Sequence, residues 1–289
     1  MRVFDSTIKE TLSERLNALE SHFAADVVFY YGEIHPFMAK PFRDFIEPLK
    51  QVATPRTKLV MFVNTPGGSA EAVEKIVEIV RFHYVEVYFV VPDMAMSAGT
   101  ILCMSGDKIY MDYSSALGPI DPQVFNGKDW VPALGYLDKV EELLSRARSG
   151  TMSNAEFLIL QGIDLALLSR YEQARDLTIT LLKKWLVEYK FKDWTSHATD
   201  PAKVGQPVTQ GEKETRAEEI AKQLGDNKLW HSHGRMIGPA TLQRLLRLKI
   251  DDYSHDVTLR PLVRSYNDLL VEYIARSDFK FFMHSRNYF

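Results

Sequence analysis

The fold class that the sequence predicts is α/β, built from parallel βαβ units and extended by helices at both ends. Three observations predict it. Short runs rich in Val, Ile, Phe and Tyr recur between residues 26 and 118 and alternate with segments of helical period. Beyond Ala133 the strand signal stops and helix formers dominate. Two turns of small residues, NTPGGSA and MAMSAG, each stand where a strand hands over to a helix.

The elements follow in order. Ile8, Leu12, Leu16, Leu19 and Phe23 recur at spacings of three and four, which makes residues 1–24 an amphipathic helix. DVVFYYGEI (Asp26 to Ile34) is β-branched and aromatic and predicts a buried strand, with FRDFIEPLKQVA a helical segment after it. KLVMFVN is the second strand. From Ser69 to Tyr84, Ala72, Val73, Ile76, Ile79 and Val80 share one helix face, and the Ser69 side chain can cap the start. VEVYFVVP predicts a third strand, AGTILCMSG a short helix closed by Gly106, and DKIYMDYSSALG a fourth strand. Strands and helices alternating in this way call for right-handed parallel crossovers.

Residues 133–150 and 154–189 carry long helical patterns, and residues 196–214, with Pro201, Gly205, Pro207 and Gly211, predict a loop or linker. Helices are expected near Thr215 to Leu224, Pro239 to Leu248 and Asp256 to Arg276. The domain division expected is thus 1–24, a catalytic unit over 25–195, the 196–214 linker and a helical extension over 215–289. The tail FKFFMHSRNYF is aromatic and could dock on a partner subunit.

A chain of 289 residues with 46% hydrophobic content fills a sizeable core. A net charge of -3 gives no reason to expect nucleic acid or an anionic membrane as the main partner. Charges recur every few residues at the start, so no secretory leader is expected, and no window reaches the roughly 18 apolar residues of a membrane span. A cytoplasmic location follows as an expectation. Cys103 is the single cysteine and reads as a small buried apolar residue.

Ser97 is placed for chemistry. A helix that starts directly after a strand aims its first backbone N–H groups outward, so a serine there can attack a carbonyl while adjacent amides hold the oxyanion. The turn at Gly67 and Gly68 makes the same transition one unit earlier, and glycines let backbone approach a ligand without a Cβ in the way. Two such junctions on neighbouring parallel strands share one crevice at the strands' carboxyl ends. Neither GxxxxGK[ST] nor GxGxxG after a strand is present, so a nucleotide loop at this turn is not indicated.

FVNTPGGSAEAVEKI followed by MAMSAGTILCMSGDKIYMDYSSALGPIDPQ resembles the signature of the Clp and crotonase fold peptidases, over roughly Asp26 to Asn154. The match in pattern is to the serine dehydrogenase proteinases and the related signal peptide peptidases. The resemblance implies a Clp/crotonase-like core and a serine peptidase acting through an acyl-enzyme on a peptide or unfolded protein, without a cofactor or metal. It implies Ser97 as nucleophile, the amides of Gly68 and Ala98 as oxyanion hole, and Gly67, Ser69, Gly118, Pro119 and Ile120 about the substrate. It also implies a homo-oligomer, with a separate unfoldase or a membrane partner as a further expectation.

The base stays open between two choices. Where the Clp proteolytic subunit has its histidine, this chain offers Ile120, Asp121 and Pro122, and no histidine occurs between His83 and His197. Signal peptide peptidases pair the serine with a downstream lysine, and Lys139, in a helical segment 42 positions after Ser97, is the candidate for that role. Burial would lower its pKa toward a neutral amine. A distant histidine is the alternative, His231 and His233 in WHSHG among them, a pair whose spacing of two also permits a metal site given a third ligand. Two rival functions share the fold: a crotonase-type acyl-thioester enzyme, which needs the amides but no nucleophilic serine, and a non-catalytic assembly protein.

Overall fold

The computed structural model describes residues 3–125, 130–198 and 201–289. Helix α1 (Val3–Phe23) precedes strand β1 (Asp26–Gly32), α2 (Ala39–Ile46), β2 (Lys58–Asn64), α3 (Ala70–His83) and β3 (Glu86–Val91). A two-residue strand β4 (Met94–Ala95) leads into α4 (Ala98–Met104), then β5 (Lys108–Met111) and β6 (Ala116–Leu117). A hairpin of β7 (Gln123–Phe125) and β8 (Trp130–Pro132) opens the helical part: α5 (Ala133–Arg148), α6 (Asn154–Gln161) and α7 (Leu165–Trp185), which ends in a π turn, Leu186–Lys190. The chain closes with α8 (Gln210–Gly225), α9 (Asn227–Trp230), α10 (Pro239–Leu245), β9 (Asp251–Asp252), α11 (Leu259–Ser277) and β10 (Phe281–His284).

The main sheet has the order β10-β1-β2-β3-β5-β9, parallel throughout except for β10, which runs antiparallel to β1. Alternation along each strand assigns its two faces. Val28, Tyr30, Leu59, Met61, Val63, Val87, Phe89 and Val91 pack on one side under α2, α3, α4, α7 and α8. Val27, Phe29, Val60, Phe62, Tyr88 and Val90 pack on the other, under α1 and α11. Both faces are covered, which is why these strands are apolar at every position instead of at every second one.

The α/β core stands as the sequence predicts, with physical reasons for each departure. The expected strand 107–118 is broken at a turn in which Asp112 accepts from Ser114 N (2.9 Å), and its second half pairs instead with β4. The long pattern 154–189 is interrupted after Gly162, where the Asp164 side chain caps α7 by accepting from Ala166 N at 2.8 Å. Helix α8 begins at Gln210, inside the expected linker, because Thr209 and Glu212 form a reciprocal capping box. The aromatic tail packs on its own chain. Its residues 281–284 form the sheet's edge beside β1, and Arg286 reaches the buried carboxylates of Asp26 (2.6 Å) and Glu20 (2.8 Å). Among the described residues no helix is long and apolar enough to cross a membrane.

Candidate active site

The site begins with the way β2 and β3 end. Past Asn64 the backbone of Thr65 bridges to Ala95, with Thr65 N donating to Met94 O (3.0 Å) and Met96 N to Thr65 O (3.0 Å). That bridge stitches the glycine turn to the serine junction. Gly67 and Gly68 both take positive φ, 116° and 144°. A Cβ on Gly67 would lie 2.9 Å from Met96 O and from Ser97 Cβ, and one on Gly68 would lie 2.0 Å from Ile34 O. Only glycine lets the turn come this close to Ser97 on one side and to the Ile34 backbone on the other. Ser69 then caps α3, its Oγ accepting from Ala72 N at 3.1 Å.

Ser97 sits at the N-cap of α4 with φ 52° and ψ -114°. For a residue with a Cβ this backbone conformation is strained, and such strain is retained where surrounding structure enforces it. Thr100 supplies part of that enforcement: its Oγ1 donates to Ala95 O and Gly118 O, at 2.9 Å each, while Gly118 N donates to it. Gly118 is pressed against the junction, since a Cβ there would stand 3.1 Å from Ser97 N. Ser97 is half-buried, and its hydroxyl makes no hydrogen bond among the described residues. As the first residue of α4, Ala98 has no intrahelical acceptor for its N–H.

Gly68, Ser69, Ser97, Ala98 and Ile120 line one cavity of about 590 Å³. Gly67 and Gly118 press against Ser97 without lining the cavity, and Pro119 is buried. Lys139 is elsewhere. It stands on α5 with its side chain 64% exposed, Nζ 2.9 Å from Glu142 Oε2, and it does not line this cavity. Lys128, the other lysine between Gly127 and Lys183, lies outside the described residues. A solvated, ion-paired amine lacks the desolvation that a lysine base depends on.

The same cavity is lined by His233. Its Nδ1 is 2.8 Å from Oδ1 of Asp121, whose side chain is fully buried. The other oxygen, Oδ2, accepts from Gln123 Nε2 at 3.0 Å. With its amide turned to satisfy both ends, Asn227 donates to Oδ2 as well (3.1 Å) and accepts from Gly135 N (3.0 Å). Backbone bonds from Leu117 N to Ile237 O (3.0 Å) and from Ile237 N to Leu117 O (2.8 Å) pin the loop carrying His233 beside the serine junction. A carboxylate accepting from Nδ1–H fixes the tautomer that leaves Nε2 as a proton acceptor. His231, by contrast, is exposed and closes α9 in a left-handed conformation, so the two histidines do not act as a pair.

Serine, carboxylate and imidazole therefore occur in the chain order Ser97, Asp121, His233. Asp121 is legible only in retrospect, as an aspartate flanked by prolines and apolar residues in GPIDPQ where a carboxylate needs a buried partner. His233 carries no local pattern at all. The fold brings it in from 112 positions beyond Asp121.

Comparison with known proteins identifies the family. Two uncharacterized proteins of Methanocaldococcus jannaschii are each 30% identical, one over 149 residues (51% of this chain, 48% of that protein) and one over 113 residues (39% and 35%). The chain spans about half the length or less of these curated relatives. Among solved structures, two mutant forms of the 1510-N membrane-bound stomatin-specific protease superpose with TM-scores of 0.47 and 0.46. They are 12% and 15% identical and cover 82% and 81% of this chain, and 82% and 76% of their own; the second holds a substrate peptide. Residues 49–207, which include the glycine turn, Ser97 and Asp121, match the family model of the ClpP-like SDH-type serine proteinases. The chain belongs to that family.

Proposed function

We propose that the chain is a serine peptidase that hydrolyses peptide bonds through an acyl-enzyme, with Ser97 as nucleophile, His233 as general base and Asp121 as the group that orients the imidazole. The observation that carries this reading is the His233–Asp121 pair at 2.8 Å, opening into the cavity that holds Ser97. His233 Nε2 takes the proton of the Ser97 hydroxyl as Oγ bonds to the scissile carbonyl carbon. The oxyanion forms against the Gly68 and Ala98 amides, each donor contributing about 3 kcal/mol. Collapse of the adduct expels the amine, to which His233 returns the proton, and a water activated by the same imidazole then cleaves the ester.

The substrate is a peptide or an unfolded segment: a cavity of about 590 Å³ admits a few side chains and excludes a folded domain. Its rim carries Glu33, Glu71, His35 and Arg170, charges of both signs that select among side chains by sequence. A cytoplasmic homo-oligomer is the setting that completes the proposal, since Phe157, Leu158 and Ile159 on α6 are each more than half exposed and offer apolar area to a second copy. The test is cleavage of an unfolded protein such as reduced casein, read by mass spectrometry. Wild type releases fragments, and Ser97→Ala releases none. Equal fragmentation by both overturns the assignment.

A further inference from the structure

A second cavity, of about 970 Å³, lies at the opposite end of the sheet from Ser97. Its walls include Glu86 and Tyr88 at the amino end of β3 and Lys108 at the amino end of β5, whereas Ser97 follows the carboxyl end of β3. Six residues of strand, roughly 20 Å, separate the two. Among the described residues no side chain lines both cavities.

The cations of this second cavity are not all balanced. Its carboxylates are largely engaged: Asp107 with Arg81 (3.0 Å) and Lys192 (2.5 Å), Glu212 with Lys203 (2.7 Å), and Glu219 with Arg216 (2.6 Å). Arg247 and Lys249 have no hydrogen-bond or ion-pair partner among the described residues and line the same wall. Lys190 is the exceptional member. It ends the π turn, its Nζ is buried, and it has no hydrogen-bond partner. Burial without a partner pushes its ammonium down to about 8, against the opposing pull of Asp251 and Asp107. A buried cation left without hydrogen bonds costs stability, and π turns are frequent at functional sites.

We propose that this cavity is a second ligand site, taking a small phosphate-bearing molecule whose anionic oxygens pair with Lys190, Arg247 and Lys249. The anion supplies the acceptors that Lys190 lacks, and two surface cations close over it from the loop after α10. Lysine suits phosphate as a compact point charge, and arginine adds forked donors. Phe191 and Trp194, packed edge to face at 5.6 Å, give the wall an apolar surface for the rest of such a molecule. The rival account is that Lys190 is a structural cation held by the nearby carboxylates of Asp107 and Asp251 alone.

Isothermal titration of the full chain with orthophosphate, pyrophosphate and ATP, at physiological ionic strength, separates the two. The proposal expects saturable binding of at least one probe, one per chain. Lys190→Met is expected to weaken it about tenfold or more, Lys249→Ala and Arg247→Ala to weaken it severalfold, and Ser97→Ala to leave it unchanged. Lys249 and Arg247 are exposed, so their variants test the site even if Lys190→Met fails to fold. Absence of saturable binding for all three probes overturns the proposal, as does an affinity that all three cation variants leave unchanged.

Discussion

Nδ1 of His233, which lines the cavity that holds Ser97, stands 2.8 Å from Oδ1 of Asp121, a carboxylate with no exposed side-chain surface. His233→Gln is expected to remove general base catalysis, an effect of about 10² to 10⁴ in kcat. Asp121→Asn leaves the shape intact but no longer selects the tautomer with a free Nε2, so kcat falls by a comparable factor. Steady-state cleavage of a fluorogenic peptide checks both. KM is expected to change far less than kcat, because neither residue contributes binding shared by the ground state.

Lys139→Ala is expected to leave kcat within about twofold and stability within about 0.5 kcal/mol, because its ion pair with Glu142 is exposed on both sides. The same assay and a urea melt check it.

Ser97→Ala and Ser97→Gly both abolish turnover yet differ in stability. At φ 52° alanine keeps the strain and glycine relieves it, so the glycine variant is expected to be more stable than the alanine variant by about 1 kcal/mol. Paired denaturation curves of the two inactive proteins check this without any substrate.

Gly68→Ala is expected to abolish activity and lower the melting temperature, since its Cβ would fall 2.0 Å from a backbone oxygen that cannot swing aside. Gly205 also has positive φ, 80°, but nothing lies within 4 Å of a Cβ there, so Gly205→Ala costs only about 1 kcal/mol and keeps activity. Comparing the two separates close approach from backbone conformation.

Asp112 ties β5 to α11 through Arg264, with Nη2 2.7 Å from Oδ2. Burial pushes its carboxyl up, but hydrogen bonds from Arg264 and Ser114 outweigh burial and hold it below the usual carboxylate range. A group depressed in the folded state stabilises above its unfolded value, near 3.9, and that stability is lost as pH falls through the folded value. Arg264→Met is therefore expected to cost about 1 to 3 kcal/mol at pH 7, by removing the hydrogen-bonded cation of a buried charge and leaving it the ion pair with Arg260 (3.5 Å) and the bonds from Ser114. The cost shrinks as pH drops below about 4, where Asp112 is protonated in the unfolded chain and, without Arg264, more readily in the folded one. Urea denaturation of both proteins across pH 3 to 7 checks the sign.

Much of this architecture was legible because it rests on local period. Leu12, Leu16 and Leu19 sit on one stripe of α1 and are fully buried, and the apolar runs at 58–64 and 85–92 became strands buried on both faces. The serine junction and the glycine turn were legible for a related reason: strand, small residues and helix are contiguous in the chain. The base was not. Lys139 has the right distance along the sequence, but α5 turns it to solvent, and helix geometry decides that more firmly than spacing does. His233 arrives on a loop pinned by Ile237 to Leu117, a pairing with no sequence signature. Edge strands escaped likewise. The two residues of β9 and the aromatic run of β10 are recruited by a sheet already formed, and nothing in FKFFMH alone tells a sheet edge from a docking tail.

The base proposed for Ser97 is His233 and not Lys139. Intact-mass spectrometry after treatment with a fluorophosphonate tests it most directly, on wild type, Ser97→Ala, His233→Ala and Lys139→Ala. The account predicts one adduct on wild type and on Lys139→Ala, and none on Ser97→Ala or His233→Ala over the same exposure. An adduct kept by His233→Ala and lost from Lys139→Ala would contradict it.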